Sequence, residues 1–191
     1  MKIIVASGNA HKLEEIAQIL TGFEFVSMRD MGFKGDIVED GSTFKENALI
    51  KAKFIAEKFN MPALADDSGL CVDALGGAPG VYSARYSGGG DRENRLLLLK
   101  NLEDKSDRTA RFKSAICLYF PDGKILYGEG ACEGKILYED MGTNGFGYDP
   151  IFYSFDLKKS FGLATAEEKN SVSHRSRALK DLHEILATRD D

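Results

Sequence analysis

The amino-acid sequence predicts an α/β fold with a mixed central sheet flanked by helices. Short apolar runs typical of buried strands alternate along the chain with segments whose apolar residues recur at helical spacing. Clusters of turn-forming residues separate these segments, and neither internal repeats nor low-complexity tracts interrupt them. Such an alternation of strands and helices is the pattern of an α/β protein.

The first third of the chain begins with a strand, a turn and a helix. Residues 2–6 are an apolar run, and Ser7-Gly8-Asn9 is turn chemistry. A second helix is predicted over about 43–59, and Thr43 with Glu46 has the spacing of a capping box at its start. A strand over 62–65 is expected to end at an acidic segment, Asp66-Asp67-Ser68-Gly69. The helix that follows the first turn is predicted from the spacing of Leu13, Ile16, Ala17 and Leu20.

The rest of the chain alternates between loops and regular elements. Residues 76–90 contain six glycines and form a long loop, which in a compact domain is usually functional or disordered. The regular elements expected after it are a helix over about 92–102, strands over 110–120, 124–131 and 134–138, and a final helix from near Ser173.

Composition narrows the possible classes of protein. A chain of 191 residues fits one domain, or two lobes that share a cleft. The net charge of −5 argues against binding to polymeric nucleic acid. We find no apolar run of membrane-spanning length and no signal-peptide pattern. Three widely spaced cysteines fit neither a disulfide framework nor a zinc site, so we expect reduced core thiols and a cytoplasmic protein.

Ser7-Gly8-Asn9-Ala10-His11-Lys12 is a candidate cradle for phosphate groups. A glycine turn between a strand and a helix presents free backbone N–H groups, and the helix dipole favours an anion there. Ser7 and Asn9 add side-chain donors, and Lys12 adds a positive charge. The segment is neither a P-loop nor a dinucleotide fingerprint. The alternative is an ordinary capped helix with a solvated lysine.

Asp66 and Asp67 are candidate ligands for a metal ion. Neighbouring residues of a strand point to opposite faces, so only one of the two should face the cleft while the other braces the turn. Mg²⁺ takes one or two carboxylates together with phosphate oxygens and water. Glu39 is the best source of a second carboxylate. The alternatives are an acidic turn for the aspartates and a surface acid for Glu39.

Two further segments have the residues needed to bind a nucleobase. The glycines that flank Phe146 let the backbone approach a flat ligand, and Pro150 is expected to keep Asp149 extended and its side chain out of a helix. Donors near residues 167–175 suit the 6-oxo acceptor of a purine and would penalise adenine. The alternatives are a glycine-rich turn around a core phenylalanine and a capped amphipathic helix.

Five motifs together resemble the inosine triphosphate pyrophosphatase family, which removes aberrant purine triphosphates. They span nearly the whole chain in the family's order, although Ser7 stands where threonine is more familiar. The motifs are Ser-Gly-Asn-Ala-His-Lys at 7–12, Asp-Asp-Ser-Gly-Leu at 66–70, Gly-Gly-Ala-Pro-Gly-Val-Tyr-Ser-Ala-Arg-Tyr at 76–86, Phe-Gly-Tyr-Asp-Pro at 146–150 and Glu-Lys-Asn-x-x-Ser-His-Arg at 168–175.

The resemblance implies a single catalytic domain of two lobes with the active site in a cleft between them, assembled as a homodimer. It implies Mg²⁺-dependent cleavage of ITP, dITP or XTP to the monophosphate and pyrophosphate. Asp67 would be the general base and a metal ligand, and Glu39 the second metal ligand. The residues that would contact the substrate are Ser7, Gly8, Asn9, Ala10, His11, Lys12, Ser68, Phe146, Gly147, Tyr148, Asp149, Lys169, His174 and Arg175.

Two other functions remain open at this point. One is a related hydrolase that prefers modified pyrimidine triphosphates, against which the His174-Arg175 pair and the long glycine-rich loop argue. The other is a nucleotide-binding protein without activity, against which the presence of both Asp67 and Lys12 argues.

Overall fold

The computed structural model describes residues 1–188, and the side chain of His11 and residues 189–191 lie outside what it describes. The described chain forms two compact units. The first contains Met1–Asp67, Ser114–Gly130 and the described residues from Arg175 onward, and the second contains Ser68–Lys113 and Ala131–His174.

The strands form one mixed sheet, as the sequence predicts. Their order is β2-β1-β3-β4-β5-β6-β7. Strand β1 pairs in parallel with β2 and β3, whereas β6 pairs antiparallel with β5 and β7. The bounds are Lys2–Val5 for β1, Glu24–Ser27 for β2, Ala63–Val72 for β3, Thr109–Tyr119 for β4, Ile125–Ile136 for β5, Phe152–Ser154 for β6 and Lys159–Ser160 for β7.

The helices lie close to the positions that the apolar spacing indicates. Helix α2 is capped by Thr43, whose hydroxyl accepts from the Glu46 N–H at 3.1 Å, as the capping spacing predicts. Glu46 in turn accepts from the backbone N–H of Ser42 at 2.7 Å. The helices are Ala10–Ile19 (α1), Phe44–Phe59 (α2), Asp91–Asn101 (α3), Ala166–Val172 (α4) and His174–Ala187 (α5).

The first unit has an apolar core on each side of its strands. One core joins Leu64 to residues of α1 and α5, and the other joins Ala63 and Ala65 to residues of α2. Because side chains alternate along a strand, Asp66 continues the side of Leu64 and Asp67 the side of Ala63 and Ala65. The alternation therefore separates the two carboxylates, as expected.

The second unit is built around a cluster of aromatic rings. Phe112, Phe152 and Phe161 are buried and lie with ring centroids 4.6 to 6.0 Å apart. The aliphatic residues Leu70, Val72, Leu98 and Leu102 complete this core. It supports the glycine-rich segment before β6 and the helix α4, which carry several of the predicted site residues.

Several predicted boundaries are wrong. Strand β3 does not end at Asp66 but continues to Val72, and the strands expected over 124–131 and 134–138 form one strand, β5. Part of the loop at 76–90 is a 3-10 helix, Gly80–Arg85. The separate helix α4 was not predicted, although Thr165 and Glu168 form a capping box at its start.

None of the three cysteines forms a disulfide, and Cys117 and Cys132 are fully buried. Burial raises the pKa of the Cys117 thiol to about 12, and burial also raises the pKa of Cys71. Since the thiolate is the reactive form, a thiol-specific reagent such as DTNB at pH 8 should label native Cys71 slowly, and Cys117 and Cys132 only after unfolding in guanidinium. The slow phase should be absent from a Cys71→Ser variant. Rapid release of three equivalents of thionitrobenzoate from the native protein would contradict the protection of these thiols by burial.

No helix within residues 1–188 is both long and apolar enough to cross a membrane.

Candidate active site

The predicted phosphate cradle lies where β1 ends and α1 begins. The Ser7 hydroxyl accepts from the Asn9 N–H at 3.1 Å, and the Asn9 carboxamide oxygen accepts from the Lys12 N–H at 3.4 Å. Both hydrogen bonds cap the start of α1, which agrees with the alternative prediction of an ordinary capped helix for this segment. They shape the turn and place the exposed backbone of Gly8 and Ala10 at the positive end of the helix dipole.

Arg29 lies directly over this turn. A Cβ on Gly8 would stand 3.0 Å from Arg29 Cζ and closer still to its Nε, so the Arg29 side chain would have to shift if Gly8 were replaced. Within residues 1–188, no carboxylate forms an ion pair with Arg29. The turn thus carries a second cation in addition to Lys12, in a place where a helix dipole already favours an anion.

A cavity of about 400 Å³ connects the cradle to the carboxylates of the first unit. Its walls include Ser7, Gly8 and Lys12 from the cradle, together with Glu39 and Lys51. Asp66, rather than Asp67, is the aspartate of the pair that lines it. The cavity therefore combines backbone donors, the two ammonium groups of Lys12 and Lys51, and three carboxylates, since Asp36 lines it as well.

Asp66 is the centre of a buried ion cluster. Lys12 Nζ lies 3.0 and 3.1 Å from its two carboxylate oxygens, and Arg175 Nε donates to Oδ2 at 3.2 Å. Burial alone would raise the pKa of Asp66, but the charges of Lys12, Arg175 and Lys51 outweigh it and hold that pKa well below its usual range. Asp66 is therefore an anion that fixes two of the predicted substrate-binding side chains.

Asp67 points to the other side of β3. Its carboxylate accepts from Asn47 Nδ2 of α2 at 3.1 Å. Burial raises the pKa of Asp67, and although Lys51 and Asn47 act in the opposite direction, the nearby charge of Glu39 adds to the rise. A carboxyl group with a raised pKa is suited to accept a proton.

Glu39 and Asp67 are the two residues of this site that could hold a magnesium ion. Glu39 forms an ion pair with Lys51 Nζ at 3.2 Å, and the same ammonium group donates to the Asp66 carbonyl at 2.7 Å. Among the described residues, no group of three or more His, Cys, Asp or Glu side chains is arranged around a metal position. Two carboxylates match Mg²⁺, which completes its six ligands with phosphate oxygens and water, better than they match zinc.

Two of the predicted nucleotide-contacting residues of the second unit, Phe146 and Asp149, lie beside Lys169. Its ammonium group lies 2.6 Å from Asp149 Oδ2 and 4.4 Å from the centroid of the Phe146 ring. Phe146 is 68% exposed, so a face of this large ring is open to a flat ligand. Tyr148 is buried and donates its hydroxyl to the Ser83 carbonyl at 2.7 Å, while the Gly147 N–H donates to Asp91.

Asp149 does not have the conformation that Pro150 was expected to impose. It is buried and begins a 3-10 helix, Asp149–Ile151, where proline is well tolerated in the first turn. Its carboxylate accepts from the Phe146 N–H at 3.0 Å as well as from Lys169. Asp149 therefore holds the Phe146 turn and Lys169 in place.

The structure divides the remaining predicted residues between the units. His174 belongs to the second unit, where its ring stacks on Phe112 at a centroid distance of 5.1 Å. Arg175 belongs to the first unit, in the Asp66 cluster. Ser68 continues β3 into the second unit. The prediction for His11 concerns a side chain outside the described residues.

Four residues that contribute to this site, Lys51, Asn47, Glu15 and Arg29, were not predicted from the sequence. Lys51 and Asn47 lie four residues apart on α2, so a helical projection shows that they share a face. Glu15 follows Lys12 at the spacing that places both on one face of α1, and this signal was likewise available. Arg29 follows β2 in a segment without a local pattern.

Comparison with known proteins identifies the family of the chain. The model of the Ham1 family matches residues 3–185. The dITP/XTP pyrophosphatase of Halalkalibacterium halodurans is 49% identical, over 96% of this chain and 97% of its own. The dITP/XTP pyrophosphatase of Desulforamulus reducens is 47% identical, over 97% of this chain and 96% of its own.

Solved structures show the same fold. The Staphylococcus aureus Ham1 protein has a TM-score of 0.94 and 38% identity, covering 99% of this chain and 100% of its own. The nucleoside-triphosphatase, dITP/XTP pyrophosphatase, of Mycobacterium abscessus has a TM-score of 0.82 and 45% identity, covering 94% and 97%. These findings confirm the resemblance that the five sequence motifs indicate and the α/β fold with a mixed sheet. The chain belongs to the Ham1 family.

Proposed function

We propose that this protein hydrolyses non-standard purine nucleoside triphosphates (ITP, dITP and XTP) to the nucleoside monophosphate and pyrophosphate. The observation that carries the proposal is the cavity of about 400 Å³ in which the helix cradle and Lys12 adjoin Glu39, Lys51 and Asp66. Relatives covered over nearly their full length are named dITP/XTP pyrophosphatases. The reaction removes aberrant purine triphosphates from the nucleotide pool.

Mg²⁺ is the cofactor that the donor set supports, with Glu39 and Asp67 as its protein ligands. When bound, the ion neutralises phosphate charge and polarises the phosphoryl oxygens. Lys12 and the first-turn N–H groups of α1 bind the triphosphate. The positive charge of Lys51 compensates the negative charges of Glu39 and Asp67. Asp67 accepts the proton of the attacking water, and Asn47 orients the Asp67 carboxylate through its 3.1 Å bond.

Four side chains recognise the purine nucleotide. Phe146 stacks on the purine, Lys169 contacts the nucleotide, and His174 with Arg175 donates to the 6-oxo group. A donor at this position would be left unpaired by the amino group of adenine, which penalises ATP. Exposure of the Phe146 ring and the side chain of Lys169 beside it support this assignment.

The experiment that tests the function is pyrophosphate release with ITP, dITP, XTP, dUTP, methylated pyrimidine triphosphates and ATP, each with and without Mg²⁺. We expect release from the three purine substrates, only in the presence of Mg²⁺. A preference for the pyrimidines would establish the alternative hydrolase. Binding of ITP without release of pyrophosphate would establish a nucleotide-binding protein.

The variant Glu39→Gln tests the metal assignment. Because one of the two carboxylate ligands is lost, the Mg²⁺ concentration for half-maximal turnover of ITP should rise about tenfold or more. Asp40→Asn is the matched control, since Asp40 is the exposed neighbour of Glu39. A Glu39→Gln variant with the metal titration of the wild type would remove Glu39 from the site.

We further propose that the chain is a single catalytic domain and that it acts as a cytoplasmic homodimer. The family resemblance supports these assignments, and exposed apolar side chains of the second unit, among them Tyr138, Met141 and Phe155, supply surface for an interface. Light scattering coupled to size-exclusion chromatography should give about twice the 21.0 kDa chain mass.

A further inference from the structure

Helix α3 binds the glycine-rich turn that carries the Phe146 ring. Asp91 Oδ2 accepts from the Gly147 N–H at 2.8 Å, and Arg95 Nη1 donates to the Gly147 carbonyl oxygen at 3.0 Å. Asp91 and Arg95 are four residues apart and therefore lie on the same face of α3. One face of this helix thus binds both polar groups of the Gly147 backbone.

The guanidinium group of Arg95 is itself fixed by a carboxylate. Its Nε and Nη2 donate to the two carboxylate oxygens of Asp140 at 2.9 and 2.8 Å. Such a bidentate pair fixes the orientation of a guanidinium group as well as its position. The Nη1 atom is therefore held in a defined place, from which it reaches the Gly147 carbonyl oxygen.

These bonds hold the backbone on both sides of Phe146. The Phe146 N–H belongs to the peptide group before the ring and donates to Asp149 Oδ2 at 3.0 Å. The Gly147 N–H belongs to the peptide group after the ring and donates to Asp91. Because each peptide group is planar, holding both of them leaves the φ and ψ angles of Phe146 little freedom.

Side-chain packing contributes little to the position of this turn. Gly147 has a φ of +59°, and no described residue beyond its chain neighbours lies within 4 Å of the position that a Cβ on it would occupy. The Phe146 ring is 68% exposed. The placement of the ring therefore depends mainly on the hydrogen bonds that the turn makes.

We propose that Asp91 and Arg95 are positioning residues for nucleotide binding: they hold the Phe146 turn in the conformation in which the ring stacks on the purine base. This inference rests on the proposed function, in which Phe146 is the stacking residue. Both residues act through the Gly147 backbone rather than on the nucleotide. A ring that is already fixed loses less conformational freedom when the base binds, which strengthens binding.

The first test compares Arg95→Met with Arg92→Met, at an exposed position of the same helix. Methionine suits a helix but has no N–H donor. Arg95→Met should raise KM for ITP about fivefold, the net effect of one hydrogen bond, and leave kcat unchanged, because stacking stabilises the bound substrate and the transition state equally. Arg92→Met should change neither constant. A merely structural role would lower kcat through loss of folded enzyme and would leave KM unchanged.

The second test separates the hydrogen bond of Asp91 from its charge. Asp91→Asn and Asp91→Ala both remove the negative charge at the start of α3, but asparagine keeps an oxygen that accepts from the Gly147 N–H. Asp91→Ala should raise KM for ITP about fivefold, whereas Asp91→Asn should stay close to the wild type. Because Asp91 is exposed, this pair keeps the proposal testable should Arg95→Met fail to fold.

A double-mutant cycle connects these effects with the ring. In a Phe146→Ala background there is no ring to position, so Arg95→Met should have no further effect on KM. An equal increase in both backgrounds would overturn the proposal, as would a wild-type KM for Arg95→Met and Asp91→Ala. Calorimetric titration with ITP in EDTA gives the same comparison through Kd without turnover. Absence of pyrophosphate release from the wild type would overturn the proposed function, and the Kd values would then decide the role of Asp91 and Arg95.

Discussion

Replacing Asp67 by asparagine should lower kcat for ITP about a thousandfold, within the range that a general base contributes. The amide keeps the shape of the side chain and can still accept from Asn47 Nδ2, but it cannot take a proton from water. Burial already opposes ionisation of this carboxyl group and raises its pKa. The loss of charge should therefore leave the melting temperature unchanged or slightly higher.

The measurement is single-turnover pyrophosphate release at saturating ITP, together with a thermal melt of each variant. Asp122→Asn is the matched control, because Asp122 lies in the exposed turn after β4 and its Oδ1 accepts a bond that asparagine can also accept. Turnover by Asp67→Asn above one tenth of the wild-type value would rule out the role of Asp67 as the base.

The separation of Asp66 from Asp67 is the part of the site that the sequence predicted best. It follows from the period of a strand alone, since adjacent side chains alternate between faces. The identity of their partners does not follow, because Lys12 and Arg175 lie 54 and 109 positions from Asp66 along the chain. Only the packing of α1 and α5 on the same side of β3 brings these charges together.

The errors in the strand boundaries have a related cause. Asp66-Asp67-Ser68-Gly69 has the composition of a turn, but β3 lies between β1 and β4 in the sheet, and this pairing overrides local propensity. The sequence analysis placed a break in β5 between residues 131 and 134, although the strand also contains Gly128 and Gly134. A Cβ on Gly128 would clash with the backbone of α5, and one on Gly134 would clash with Phe152 and Tyr153, so these glycines allow close packing instead of ending the strand.

Replacing Asp66 by asparagine should have a different outcome from the change at Asp67, because stability should fall together with activity. Lys12 and Arg175 would keep their charges in a partly buried place without the anion that compensates them. Removal of one member of a buried ion cluster costs about 3 kcal/mol of unfolding free energy. The two cations would also lose their fixed positions, so kcat/KM for ITP should fall.

Urea unfolding of the wild type and of Asp66→Asn at several pH values tests whether the Asp66 charge causes the difference. Since the pKa of Asp66 is held well below its usual range in the folded protein, its stabilising effect is fully present above the pKa of an unfolded aspartate, about 4. The difference in unfolding free energy should therefore be constant from pH 8 to pH 5, and should narrow only as the pH falls below about 4. If the difference in unfolding free energy between the wild type and Asp66→Asn narrows already between pH 8 and pH 6, a group other than Asp66 causes the pH dependence. Equal stability of the two proteins at pH 7 would show that Lys12 and Arg175 find other partners, and that Asp66 does not hold them in place.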